Sequence, residues 1–370
     1  MRHRTRSRAR SRVRSDVRGP ARRKISRMPT SPASGVPAGH ASSTLAPFDE
    51  QARLAALLQR VAGVPALRCA VVHPCDAGSL QGALDAAAAG LIVPVLVGPR
   101  ARIQSVAHDA GLALQGAEIV DVPHSHAAAE RAALMAVRGE VEILMKGSLH
   151  SDELLSAVLA QPGLRTGRRM SHVFRFDVPL YPKPLMVTDA ALNIAPTLAD
   201  KADIVRNAID LAHLLGVAQP KVALLAAVET VNPAMPSTLD AAALCKMADR
   251  GQITGGLLDG PLAFDNAISA RAAEIKGIHS PVAGDADILV VPDIEAGNML
   301  AKQLEYLAGA MGAGIVVGAR VPIALTSRAD SANTRVASAV LAVMLALHLR
   351  DDPIRREQLA QRAAGAAGPA

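Results

Sequence analysis

From residue 47 onward, short and continuously apolar runs alternate with Ala-rich stretches whose apolar residues recur at helical spacing. The runs "RCAVVH" (68–73), "IVPVLVG" (92–98), "EIVDV" (118–122) and "VEILMK" (141–146) read as strands, and 78–90, 100–111 and 125–138 between them read as helices. Strand followed by helix followed by strand implies a parallel sheet with helices on both faces. Burial on both faces also explains why these runs are apolar throughout and not alternating. A second block repeats the rhythm, with strands expected at 171–178, 184–190, 222–228, 253–258 and 287–292 and helices at 197–215, 238–250, 264–276 and 297–311. "GAMGAG" (309–314) is expected to stop a helix, "GIVVGARVPIAL" (314–325) follows, and a last helix starts near 331. The expected architecture is α/β: two domains with doubly wound, mostly parallel sheets. Gly/Pro-rich edges at 161–167 and 312–322 suggest crossings near 155 and 316. That gives domain I as 47–155 plus 316–366 and domain II as 156–315.

Packing must rely on Ala, Leu and Val, because the 370 residues include no Trp, two Tyr and four Phe. No apolar stretch reaches the ~20 residues that span a bilayer. The nearest, 336–349, is bounded by Arg335 and Arg350 and reads as a buried helix, so a soluble, cytoplasmic protein is expected. The three cysteines, Cys69, Cys75 and Cys245, form neither a CxxC nor a zinc-spaced cluster and read as reduced thiols. "HSH" (124–126) has no evident second group of ligands, so no metal is expected.

The net charge of +7 belongs to one end of the chain. Residues 1–27 carry 11 Arg and Lys24 against Asp16 alone, a balance of +11 that leaves −4 for the rest. With the Pro/Gly/Ser-rich segment that follows, 1–46 has nothing with which to build a core and is expected to be disordered. Three readings compete for it: phosphate-directed nucleic-acid binding, an Arg- and Ser-rich transit peptide, or a dispensable extension, with Met28 as a possible alternative start. The absence of interleaved aromatics for base stacking favours the extension.

In open α/β sheets, ligands sit beyond the carboxyl ends of strands, where helix N-termini offer free amides. Polar clusters at such places are numerous: "HPCDAGS" (73–79), "KGSLHS" (146–151), "TDAALN" (188–193), "VETVNP" (228–233), "DGPLAFDNA" (259–267), "PDIEAGN" (292–298) and "TSRADS" (326–331). Each alone is compatible with an ordinary turn. No GxxxxGK[ST], no GxGxxG after the first strand and no GxSxG is present, which argues against P-loop, dinucleotide-fingerprint and hydrolase-elbow enzymes.

Taken in order, "RMSHVF…YPKPLMVTDAALNIAP", "KADIVRNAIDLAHLLGVAQPKVALLAAVETVN", "LLDGPLAFDNAIS" and "VAGDADILVVPDIEAGNMLAKQLEYLAGAMGAGIVVGARVPIALTSRADS" resemble the phosphate acetyl/butyryltransferase family, across about 68–345. The pattern is most similar to phosphate butyryltransferases and to the C-terminal halves of hydratase–phosphotransacetylase fusions. The resemblance implies reversible transfer of a short acyl group, acetyl or butyryl, between coenzyme A and inorganic phosphate. It also implies a two-domain cleft like that of isocitrate and isopropylmalate dehydrogenases, a homodimer, and no bound cofactor, with acyl-CoA, phosphate and acyl phosphate as partners.

The chemistry needs fixed donors for phosphate and for a tetrahedral oxyanion. Arg328 offers a planar, permanently charged fork. Ser327 is placed by the resemblance to donate to phosphate or to the thiol, and the helix beginning near Ser331 adds amides. The acetyltransferase branch has an acid six residues beyond the arginine, where this chain has Thr334. Asp330 is the nearest carboxylate, expected mainly to orient Arg328 and secondarily to assist deprotonation. Substrate contacts are expected from Lys146 and Ser148 at a strand end and from Ser171 and His172. A strand-end turn at Asp259, Gly260 and Pro261 and the one-turn pair Asn298 and Lys302 complete the set. Two other readings compete: a nicotinamide- and metal-dependent dehydrogenase, for which Asp285, Asp287 and Asp293 are too scattered, and a nucleic-acid-binding or regulatory relative using the tail.

Overall fold

The structure, a computed structural model, describes residues 48–325, 330–354, 356 and 357. The expectation of disorder for 1–46 therefore lies outside the described residues. Eleven strands form a single sheet: β1 (Leu67–Val72), β2 (Ile92–Gly98), β3 (Glu118–Asp121), β4 (Ile143–Lys146), β5 (Ser171–Asp177), β6 (Leu185–Thr188), β7 (Lys221–Leu225), β8 (Leu257–Leu262), β9 (Ile288–Val290), β10 (Met311–Val317) and β11 (Ile323–Ala324). Their order is β3-β2-β1-β4-β11-β10-β5-β6-β9-β7-β8.

The helices are α1 (Glu50–Gln59), α2 (Ala77–Ala88), α3 (Arg100–Asp109), α4 (Ser125–Val137), α5 (Ser151–Leu159), α6 (Leu198–Leu214), α7 (Pro236–Asp249), α8 (Phe264–Ile268), α9 (Ala270–Ile275), α10 (Ile294–Tyr306) and α11 (Ala332–Leu349). Asp or Ser side chains cap the N-termini that matter most for the site. Asp293 accepts from the Ala296 amide at 2.9 Å and Ser331 from the Thr334 amide at 3.1 Å, which satisfies donors that a helix start leaves open.

β1 to β4 and β11 are mutually parallel, as are β6, β7, β8 and β9. Between the two sets lie three antiparallel pairings in succession, β11–β10, β10–β5 and β5–β6. Three reversals make the two parallel sets run in opposite directions. α11 is long and apolar enough to cross a membrane by length and composition, but most of its residues are buried, Val340 and Leu341 completely. It packs as a core helix beneath β10.

Several expectations shift. The helix expected over 264–276 is broken at Ser269, whose hydroxyl caps α9. The "GAMGAG" stretch ends a helix at Gly309, with φ +64°, but Met311–Val317 is already a wholly buried strand and not a Gly-rich edge. The strand expected at 253–258 lies at Leu257–Leu262, so Asp259, Gly260 and Pro261 stand inside β8 and form no strand-end turn. β8 is the terminal strand of the sheet and its register against β7 shifts beside Pro261; edges and bulges tolerate a residue with no N–H to donate. α1 and α5 were not anticipated.

Candidate active site

The register shows where the two strand sets meet. Leu144 and Met145 of β4 pair with Ile323 and Ala324 of β11, and Ala324 faces Ile315 of β10. Lys146, the next residue of β4, therefore reaches the level of Leu325 and Gly314. From the other side β6 ends at Thr188, which pairs with Val173, the partner of Ile315. Carboxyl ends from both sets thus stop within about one residue of the same level, approaching from opposite edges.

The floor at this level is built by β5 and β10. His172, Phe174 and Phe176 alternate along β5 and so share a face. The His172 ring meets Phe174 edge-on with centroids 4.3 Å apart, and Phe174 stacks on Phe176 at 5.4 Å. Opposite them β10 has Gly312 and Gly314. A β-carbon on Gly314 would fall 2.9 Å from His172 Nε2 and 3.2 Å from the Leu325 carbonyl oxygen. The glycine is needed for close approach of ring, strand and loop.

His172 is wholly buried, and neither ring nitrogen has a hydrogen-bond partner among the described residues. Burial drives its pKa down to about 3, against a small opposing effect of the Leu325 carbonyl beside it. The ring is neutral at physiological pH and lies against the carbonyl of Leu325, the residue that precedes "TSRADS".

On the wall, α10 presents Asn298 and, one turn on, Lys302. Asn298 donates to the Ala190 carbonyl just past β6 at 3.3 Å. Lys302 bonds to Glu305 at 2.8 Å and lies 5.4 Å from the Tyr306 ring centroid. Burial works against its charge, but the Glu305 hydrogen bond and the carboxylates of Glu305 and Asp330 outweigh it, holding its pKa above the ordinary value. Lys302 and Asp330, 28 residues apart in the sequence, are thus within electrostatic reach of each other. Glu305 and Tyr306, not among the expected site residues, stand three and four residues beyond Lys302, the helical spacing that brings side chains together.

The other expected residues divide. Ser148 is occupied structurally: its hydroxyl donates to the His73 carbonyl at 2.9 Å and accepts from the Cys75 amide at 3.1 Å, joining the ends of β1 and β4. Lys146, beside it, has Nζ 3.4 Å from the Gly147 carbonyl. Ser171 points to the face opposite His172, is fully buried, and accepts from Asn207 of α6 at 3.0 Å; it is closed to a ligand in this conformation. Ser331 is the N-cap of α11. Asp259, Gly260 and Pro261 are six strand positions from β11, roughly 29 Å along the sheet at ~4.8 Å per strand, and do not join the cluster. Ser327 and Arg328 lie outside the described residues, bracketed by Leu325 and Asp330.

A buried network that the sequence reading noted only as a polar cluster supports this region. Asp189 accepts from the Ala191 and Leu192 amides and from Asn193, which also contacts Arg169. Burial raises the Asp189 pKa, and these hydrogen bonds only partly offset it. Among the described residues no group of three or more His, Cys, Asp or Glu side chains is placed to hold a metal ion. The three cysteines are free thiols, and His124 of the "HSH" stretch caps α4 through Nδ1.

A single sheet that reverses direction halfway, with strand ends from both sets stopping at one level, makes this an α/β protein of the class whose ligands bind beyond strand carboxyl ends. The phosphate acetyl/butaryl transferase family model matches residues 126–343, and the chain belongs to that family. It is 61% identical over 281 residues to a phosphate acetyltransferase of Rhizobium meliloti, covering 76% of this chain and 89% of that protein. It is 42% identical over 291 residues to a phosphate butyryltransferase of Clostridium acetobutylicum, covering 78% and 97%. Among solved structures, a branched-chain phosphotransacylase from Enterococcus faecalis V583 superposes with a TM-score of 0.66 at 31% identity, covering 76% of this chain and 99% of that one.

Proposed function

We propose that this chain is a phosphate acyltransferase that moves a short acyl group reversibly between coenzyme A and inorganic phosphate, in the cleft where the two strand sets meet. The observation that carries the reading is the family match over 126–343, which spans every site residue from Lys146 to Ser331. In the direction of acyl-CoA synthesis, the thiolate of CoA attacks the acyl phosphate carbonyl. A C–S bond forms, the C–O bond to phosphorus breaks, and phosphate leaves with the electron pair.

Arg328 and Ser327 hold the phosphoryl oxygens and the developing negative charge, where preorganised donors in a partly dry cleft are worth most. Asp330 orients Arg328, and Lys302 balances the Asp330 carboxylate. A thiol of pKa about 8.5 already supplies a few per cent of thiolate at neutral pH, so positioning contributes more than a strong base. His172, wholly buried and neutral, shapes the floor and does not serve as a general acid at neutral pH. The lobes 47–155 with 316–366 and 156–315 flank the cleft, in a cytoplasmic homodimer with acyl-CoA, phosphate and acyl phosphate as its ligands. No metal or permanently bound cofactor is assigned a role.

The test is thiol release from acetyl-CoA and butyryl-CoA with and without inorganic phosphate. Phosphate-dependent release is expected. Release that ignores phosphate, or none from any short acyl-CoA, overturns the reading.

A further inference from the structure

Arg175 and Asp177 alternate with Phe174 and Phe176 along β5, so they project from the other face of the sheet. There they border a cavity of about 320 Å³ between α1, the end of α6 and the start of β6, a size within the usual range for small-molecule sites. Arg175 and Asp177 are both buried and joined by two hydrogen bonds. A buried ion pair rarely stabilises a fold more than an apolar pair of the same volume does, so stability alone does not account for the Arg175–Asp177 pair at the end of β5.

The lining carries four cations, Arg53, Arg60, Arg175 and Lys183, against two carboxylates, Asp177 and Asp287. Arg175 is matched by Asp177, and Lys183 by Asp287 and Asp285. The excess positive charge therefore rests on Arg53 and Arg60 of α1. Arg60 is held at the rim because its two terminal nitrogens donate to the Leu215 and Leu214 carbonyls at 3.1 and 3.2 Å. The Arg53 guanidinium is exposed and has no partner among the described residues. Between these cations the floor is apolar, formed by Leu57, Met186 and Val217.

We propose that this cavity is a second ligand site, on the sheet face opposite the cleft floor. Its ligand is a small organic oxyanion whose carboxylate or phosphate head is gripped by Arg53 and Arg60 and whose short hydrocarbon body lies on the apolar floor. Guanidinium forks match either head. The site has a mechanical link to the cleft: the first residue of α1, Glu50, accepts a hydrogen bond from Asn333 at 2.8 Å, and Asn333 is two residues beyond Ser331. A ligand that draws α1 toward β5 pulls on the start of α11.

The experiment is calorimetric titration of butyrate and of butyl phosphate into the full chain and into Arg53→Glu, Ala56→Phe and Arg328→Ala. Arg53 is exposed and unpartnered, so its reversal leaves the fold intact, and Ala56→Phe fills the cavity without altering charge; thermal melting checks both. Saturable binding of one probe with a Kd of about 1 mM or tighter is expected, retained in Arg328→Ala and weakened at least about tenfold in both cavity variants. No binding of either probe up to about 10 mM, or binding that the cavity variants leave unchanged, overturns the proposal. Binding lost only in Arg328→Ala assigns the probe to the cleft and equally overturns it. Phosphate-dependent thiol release by Arg53→Glu, measured in parallel, keeps this outcome separate from the fate of the acyltransferase reading. The saturating probe is expected to change the wild-type rate about twofold or more and the Arg53→Glu rate not at all; an unchanged wild-type rate refutes the link through Glu50 and Asn333.

Discussion

Replacing Gly314 with Ala tests the link between sheet packing and chemistry. The new methyl would stand 2.9 Å from Nε2 and 3.1 Å from Cε1 of His172, and 3.2 Å from the Leu325 oxygen. The ring cannot retreat, because it is wholly buried with Phe174 at 4.3 Å on its flank. Overpacking of this kind costs about 1–3 kcal/mol, while exchanging Gly for Ala inside a strand returns about 0.5–1 kcal/mol. A net loss of about 1–2 kcal/mol lowers the melting temperature by about 1–3 °C for a chain of this size. The Leu325 carbonyl must also yield by a few tenths of an ångström, and Leu325 immediately precedes Thr326. Since misplacement of about 1 Å costs roughly a hundredfold in rate, a drop in kcat of about tenfold is expected in the thiol-release assay. Gly312→Ala, whose methyl would meet only the Phe176 ring at 3.0 Å, serves as the control and should lose stability while keeping kcat. A Gly314→Ala protein with unchanged melting temperature and kcat refutes the argument, as does a Gly312→Ala protein that loses kcat equally.

Arg328→Ala is expected to lower kcat/KM by about 10²–10³, the usual consequence of removing one preorganised donor, with the melting temperature held; most of the turnover surviving would exclude Arg328 from the phosphate grip. Asp330→Asn should reduce activity in the same proportion at pH 7 and pH 9 if the carboxylate orients Arg328, whereas recovery at pH 9 would assign it the proton. His172 is held near a pKa of about 3 by burial, below the ~6.5 of an unfolded histidine. The unfolded chain therefore takes up a proton that the native one refuses, and stability falls as pH drops below about 6.5, by about 1.4 kcal/mol per unit. Between pH 7 and pH 5 the wild type should lose about 2 kcal/mol more than His172→Asn in urea unfolding, and parallel losses would contradict the burial argument. Removing residues 1–46 should leave thiol release unchanged; salt-sensitive DNA binding lost on truncation would reopen the nucleic-acid reading.

Strand identity was legible wherever burial on both faces leaves a continuous apolar run, as in β1, β4 and β7; it was hidden in β10 by Gly312, Gly314 and the adjoining Gly/Pro-rich sequence. It failed at β8, because an edge strand carrying Gly260 and Pro261 has the composition of a turn, and the neighbour that makes it a strand, β7, lies more than thirty residues earlier in the chain. The site was legible as a set of motifs but not as a set of contacts. Lys302 and Asp330 each stand out in the sequence, yet their mutual influence depends on how α10 and α11 are placed. Ser148 and Ser171 illustrate the converse. A hydroxyl at a strand end looks available in sequence, and only the packed structure shows it engaged by His73 and Cys75, or by Asn207.

The linear order of apolar runs and helical spacings determined that this chain forms a layered α/β sheet, and the ordered motifs from "RMSHVF" to "TSRADS" determined its family. Both are local signals, written within a turn or two of helix or a few residues of strand. Three successive antiparallel pairings decided what is not local. They reverse the direction of the second strand set, bring carboxyl ends from both sets to one level, and leave the Arg175–Asp177 cavity on the opposite face. Register and reversal arise from pairings between segments up to well over a hundred residues apart, and no short window of sequence contains them.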